Sequence, residues 1–226
     1  MDPRNPGRQA ISLFKIVVFV LCLLPLTHLT WGFFNDELGA NPVEAITHGT
    51  GDWTLRFLLI SLAVTPLRVM SGLNWLLRVR RMLGLFAFFY AALHFTTYLW
   101  LDQFFDWPGI VKDIVKRPFI TVGFAAFVLL IPLAATSFNR AIRWLGGRRW
   151  LSLHRSVYAI GILSVLHYWW LVKRDISEPL MYAAILAFLL GFRAWMREQE
   201  RRRQLAHGRP ANTVKPRRRV IPIVPK

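Results

Sequence analysis

The chain combines 226 residues, 54% of them hydrophobic, with a formal net charge of +17, a pairing that is rare in water-soluble domains. Several apolar runs of about 20 residues are long enough to cross a hydrocarbon core of about 30 Å, so composition points to a polytopic membrane protein and away from a soluble enzyme. A single cysteine, Cys22, excludes an internal disulfide, a cysteine-ligated iron-sulfur cluster and a covalent Cys-x-x-Cys-His haem attachment.

In chain order, a polar N-terminus (1–10) precedes a first predicted span from Ile11 to Trp31, with Pro25 and His28 towards its far end. No small-residue cleavage pattern follows it, so it reads as a retained span rather than a removable signal. The stretch from Gly32 to Asp52 carries Asp36, Glu37, Glu44 and Asp52 and no Lys or Arg, and reads as an outer loop. A second span, Trp53 to Met70, ends in AVTPLR and leads into a basic turn with Arg78, Arg80 and Arg81. The third, Met82 to Leu101, is followed by a loop of mixed charge containing Asp102, Asp106, Lys112, Asp113, Lys116 and Arg117. The fourth, Phe119 to Phe138, gives way to Arg140, Arg143, Arg148 and Arg149. The fifth is Trp150 to Trp170, and a link with Asp175 and Glu178 leads to the sixth, Pro179 to Trp195.

The expected fold is therefore an all-α polytopic bundle of six transmembrane helices over 11–195, followed by a basic cytoplasmic tail, 196–226. Lys and Arg concentrate in alternate connections and in the tail, which by the positive-inside rule places both termini in the cytoplasm, N-in and C-in. All ten tryptophans fall near span ends or in short connections, where an amphipathic indole sits best. From Arg197 onward the proline-rich tail reads as disordered beyond its first helical turns. Its charge serves topology and attraction to anionic lipid rather than nucleic acid.

The chemistry-bearing residues inside the spans are histidines. His94 lies in the third span, and His154 and His167 lie in the fifth, thirteen residues apart, which is roughly 20 Å and about 140° of azimuth on one ideal helix. Imidazole is the usual axial ligand of haem iron, and an intramembrane histidine is a functional candidate by default. His94 and His167 come out at similar depth in the outer half and can hold one iron from opposite faces. The bland alternative is a pair of histidines hydrogen-bonded between helices. His154 falls near the inner end, level with Arg80 and Arg81, where it can ligate a second haem alone, contact a propionate or flavin, or relay protons. Arg78, Arg80, Arg81, Arg148 and Arg149 can pair with propionates or a flavin phosphate, or simply set topology. Phe86, Phe89, Tyr90, Phe95, Tyr98, Tyr158 and Tyr168 are candidates to wall a porphyrin. His28, His48 and His207 read as interfacial or solvated.

Four stretches, NPVEAITHGTGDW, AVTPLR, RRMLGLFAFFYAALHFTTY and WLSLHRSVYAIGILSVLHYWW, resemble the MsrQ (YedZ) family within the ferric-reductase-like transmembrane domains. The resemblance runs from about Asn41 to Trp195. It implies a haem b membrane subunit of the bacterial inner membrane, with His94 and His167 as the firmest ligands and His154 as a further one. It implies electron transfer from the quinone pool or a cytosolic flavin reductase, with FMN as an optional carrier, to a periplasmic molybdopterin methionine sulfoxide reductase (MsrP-like). In such a heterodimer this chain is the electron-transfer subunit, and the partner reduces the sulfoxide. Wider relatives place two histidines on each of two helices, whereas Arg81 stands thirteen residues before His94 here. No Gly-x-Gly-x-x-Gly dinucleotide motif follows the sixth span. The outer stretch Gly32 to Asp52 is the expected docking face for the partner. A stand-alone ferric or quinone reductase and a channel or transporter are the competing readings. The channel or transporter reading has little support, since no predicted span carries a mid-span Asp or Glu.

Overall fold

A computed structural model of the chain describes residues 6–172 and 175–206. Among the described residues every regular element is helical. Backbone N–H and C=O groups that leave water must be paired within their own segment, and a helix does this without a neighbour. The α-helices are α1 Arg8–Phe34, α2 Pro42–Ser71, α3 Leu77–Thr97, α4 Trp107–Lys116, α5 Pro118–Ala135, α6 Asn139–Leu145, α7 Gly147–His154, α8 Val157–Leu171 and α9 Ser177–Ala206. A 3₁₀ turn, Asn74–Leu76, enters α3, and a π turn, Tyr98–Asp102, extends it. Five stretches are long and apolar enough to cross a membrane: α1, α2, the run Asn74–Asp102, α5 and α9.

The chain divides into two compact units, residues 1–189 and 190–226. In the first, α2 pairs with α3 and α5 pairs with α8 over the longest stretches. Between these pairs Leu58, Ala87, Tyr90, Leu130 and Ile160 form part of the buried core. The outside is apolar as well. Leu13, Ile16, Phe19, Val20 and Leu24 of α1 and Val128 and Ile131 of α5 are exposed. An apolar exterior around an apolar core is what a protein solvated by lipid chains presents, and in water it would be an aggregation surface. The molecule is a multi-pass, all-α membrane protein.

Pro25 interrupts α1, and another helix completes the damaged ladder. The hydroxyl of Tyr90, on α3, donates to the Cys22 carbonyl at 2.9 Å and accepts from the Leu26 N–H at 3.0 Å. Those two backbone groups would pair with each other in a regular α-helix. Proline loosens the turn, and the inserted hydroxyl satisfies both groups where no water reaches. Tyr90 is fully buried.

Several expectations are corrected. The outer stretch Gly32 to Asp52 is not a loop: α1 continues to Phe34 and α2 starts at Pro42. Asn41 caps α2, accepting from the Glu44 N–H at 3.2 Å, with Pro42 in the first turn. Asn-Pro-Val-Glu is thus a helix start in which the side chain takes an orphan donor and the ring pre-sets φ. Asp52 consequently lies inside α2, facing Arg56 at 3.8 Å, so a carboxylate does sit within a long apolar helix. The mixed-charge loop after the third span contains the amphipathic helix α4. The fifth span is not one helix. At Arg155 and Ser156 the bonds tighten to the i to i−3 pattern, Ser156 N–H to Leu153 O and Tyr158 N–H to Arg155 O, each at 3.1 Å. Ser156 Oγ also donates to Leu153 O at 2.7 Å, competing with the regular ladder. His154 and His167 therefore sit on separate helices, α7 and α8, and the single-helix azimuth between them does not apply. Finally, α9 stays helical through Ala206. His207 and the Arg217 to Arg219 run lie outside the described residues.

Candidate functional site

His94 comes from the last turn of α3 and His167 from near the end of α8. Their ring centres are 6.2 Å apart, with the planes at 74°. Each ring is fixed by the backbone of a third and a fourth helix. His94 Nδ1 lies 2.8 Å from the carbonyl oxygen of Thr47 on α2, and His167 Nδ1 lies 2.7 Å from that of Phe119 on α5. A carbonyl can only accept, so both Nδ1 atoms carry the proton and both Nε2 atoms keep a lone pair. A histidine that donates its other N–H to a carbonyl is the usual form of a metal-ligating imidazole.

Both rings line a cavity of about 500 Å³, within the ordinary size range of cofactor pockets. Part of its lining is apolar and aromatic. Phe95 packs on Phe127 at 4.8 Å and on Phe124 at 5.8 Å between ring centres. Asn41, Glu44, His48, Asp52, Asp102 and Arg117 also line the cavity.

Two imidazoles bound on opposite sides of one metal, with bonds of about 2.0–2.1 Å, have ring centres roughly 6 Å apart. The observed spacing fits that arrangement. A bare ion wants three or four protein ligands, and among the described residues no group of three or more His, Cys, Asp or Glu side chains could hold one. A donor set of two histidines in an aromatic slot suits a group that brings its own equatorial ligands, as haem does.

His154 is elsewhere and differently used. It stacks on Trp150 at 3.9 Å between ring centres, and its Nε2 is 3.0 Å from Thr136 Oγ1. That hydroxyl already donates to Pro132 O at 2.7 Å, so it accepts from His154, whose Nε2 is the protonated atom. Of the basic residues, Arg81 donates to Asn139 Oδ1 at 2.9 Å. Arg78, Arg80 and Arg81 do not line the cavity, whereas Arg117 does. Among the aromatic candidates Phe95, Tyr98 and Tyr168 line it, and Phe86, Phe89, Tyr90 and Tyr158 do not. Phe57 packs Tyr90 and Phe86 into the core instead. His48, on α2 rather than in a loop, lines the cavity, and His28 does not.

The family model described as "Ferric reductase like transmembrane component" matches residues 50–165. The chain is 55% identical over 199 residues to the protein-methionine-sulfoxide reductase heme-binding subunit MsrQ of Herminiimonas arsenicoxydans, covering 87% of this chain and 91% of that protein. It is 58% identical to the protein of the same name from Azospira oryzae, over 84% of this chain and 82% of the other. The chain belongs to the MsrQ family. A third MsrQ, from Ralstonia nicotianae, is 54% identical over 86% of this chain and 91% of its own length. No solved structure matches this MsrQ-family chain.

Sequence reasoning missed the backbone half of the site in this MsrQ-family member. The carbonyls of Thr47 and Phe119 carry no side-chain signature. A signal was nonetheless present: each is followed four residues later by a glycine, Gly51 and Gly123.

Proposed function

We propose that this chain is the haem b electron-transfer subunit of a methionine sulfoxide reductase system, with His94 and His167 as the axial ligands of one haem. The observation that carries the reading is the pair of imidazoles 6.2 Å apart, each with Nδ1 on a backbone carbonyl. Bound there, haem supplies a one-electron carrier, and two strong axial ligands favour electron transfer over oxygen binding. The chain's own residues hold the tautomer, line the pocket with Phe95, Phe124 and Phe127, and bring to it the starts of two helices, α2 and α5.

The rest of the route extends this reading. Electrons enter from the quinone pool or a cytosolic flavin reductase, with FMN phosphate held by Arg78, Arg80 and Arg81, and leave to a periplasmic MsrP-like molybdopterin partner in a heterodimer. That partner converts methionine sulfoxide back to an apolar side chain. The assignment takes the bacterial inner membrane as location and α7 with α8 as the fifth of six crossings. His154, whose Nε2 meets Thr136 Oγ1, is the further ligand or relay of this reading and stands apart from the His94 and His167 cavity. The exposed turn containing Asp36 and Glu37 is what remains of the docking face.

A reduced-minus-oxidised spectrum of detergent-purified protein, with haem quantified per chain, tests the reading. The expected result is sharp b-type bands near one haem per chain, abolished by His94→Ala and by His167→Ala. Full haem retention in either variant removes the assigned pair. The ferric-reductase family match keeps one second reading in view, a stand-alone reductase. Haem oxidation by a ferric chelate that no molybdoenzyme partner affects would favour it.

A further inference from the structure

We infer that Gly51 and Gly123 are positioning residues that seat the two imidazoles. This inference rests on the haem reading and adds to it a cause for the ring geometry.

In an α-helix the carbonyl of residue i points towards residue i+4. A ring reaching that carbonyl from a neighbouring helix must therefore pass over the surface of residue i+4. At both contacts that residue is glycine: Thr47 is followed by Gly51 and Phe119 by Gly123. A Cβ placed on Gly51 would lie 3.1 Å from both Nδ1 and Cε1 of His94. One placed on Gly123 would lie 2.7 Å from Nδ1 and 2.8 Å from Cε1 of His167. The atoms nearest each missing Cβ thus include the nitrogen that donates to the carbonyl. The same device occurs twice, on different helices and against different histidines.

Other helical glycines do not share it. Gly49 faces the flexible end of Leu29 at 2.9 Å, and Gly84, on α3 with His94, has nothing nearer than Ser61 Oγ at 4.0 Å. Glycine inside a helix is destabilising relative to alanine, so its presence here calls for a reason, and seating the donor nitrogen supplies one. Alanine at 123 must push the imidazole off the Phe119 carbonyl, because the ring is stiff and its neighbour is backbone. Alanine at 51 requires the His94 ring to give by a few tenths of an ångström. Orientation and hydrogen bonding of an axial imidazole set its donor strength, hence the ferric spectrum and potential of the haem.

The test is low-temperature electron paramagnetic resonance with a redox titration of purified wild type, Gly51→Ala, Gly123→Ala and Gly84→Ala, each checked for folding by gel filtration and circular dichroism. Wild type and Gly84→Ala are expected to share one low-spin signal and one midpoint potential. Gly123→Ala is expected to shift the largest g value and convert haem to high-spin or lose it, and Gly51→Ala to show a smaller shift of g value and potential. Wild-type g values and potentials in both Gly51→Ala and Gly123→Ala would overturn the inference while leaving the haem reading intact. If Gly123→Ala yields no folded protein, Gly51→Ala decides alone: a shift supports the seat and an unchanged signal overturns it. Wild type and Gly84→Ala both free of haem would overturn the haem reading, and this inference with it.

Discussion

At the scale of single residues, the three intramembrane histidines, which the sequence separates only by depth, are separated by what their nitrogens touch. His94 and His167 donate from Nδ1 to carbonyls, and His154 donates from Nε2 to a hydroxyl. The first two leave Nε2 free with its lone pair, and the third uses Nε2 as a donor. His154→Ala is therefore expected to leave the principal haem bands and their low-spin signal in place, as measured by haem per chain and by paramagnetic resonance. Loss of about half the haem would instead mean a second haem at the inner end. The histidines themselves were legible, because an imidazole in an apolar run is costly without a purpose. Their carbonyl partners were not, because every residue has a carbonyl and only packing chooses which one a ring meets.

Elements show where local chemistry overrides hydropathy. The Asn41 cap and Pro42 start α2 eleven residues earlier than its apolar run suggests, which brings Thr47 and Gly51 onto a helix and so into the site. Removing the cap with Asn41→Ala is expected to cost about 0.5–2 kcal/mol, read as a lower unfolding midpoint in a detergent titration. The opening of α1 at Pro25 gives a sharper case. Tyr90→Phe leaves the Cys22 carbonyl and the Leu26 N–H without their buried partner, at roughly 1–3 kcal/mol for each group left unsatisfied. Adding Pro25→Ala should recover much of that loss, since a regular turn can then close the pair directly. No recovery in the double variant would mean that Tyr90 acts mainly by filling volume.

For the whole molecule, lipid rather than water is the solvent, and the apolar exterior of α1 and α5 follows from that. The fifth of the six expected crossings is the one to test at this scale. α8 has 15 residues, about 22 Å at 1.5 Å per residue, and falls short of a hydrocarbon core unless α7 continues its path. Reporter fusions after Gly146 and after Asp175 are expected to report opposite sides of the membrane. Both on one side would make α7 and α8 a re-entrant pair and reduce the crossings to five.

By itself the sequence determined the solvent, the helical class and the side chains that carry the chemistry. Hydropathy over 20 residues, the costliness of a buried imidazole and the preference of indole for an interface are properties of composition along one chain. The pairing of His94 with His167 was already expected from their similar depth, and the two rings do lie together. Only the tertiary structure decided which backbone carbonyl each ring meets, which nitrogen each leaves free and which aromatic rings wall the cavity. Those depend on contacts between residues 47 and 94 and between 119 and 167, pairs on different helices. The structure also showed that the fifth span is interrupted at Arg155 and Ser156, where a serine hydroxyl takes a carbonyl that the helix would otherwise use.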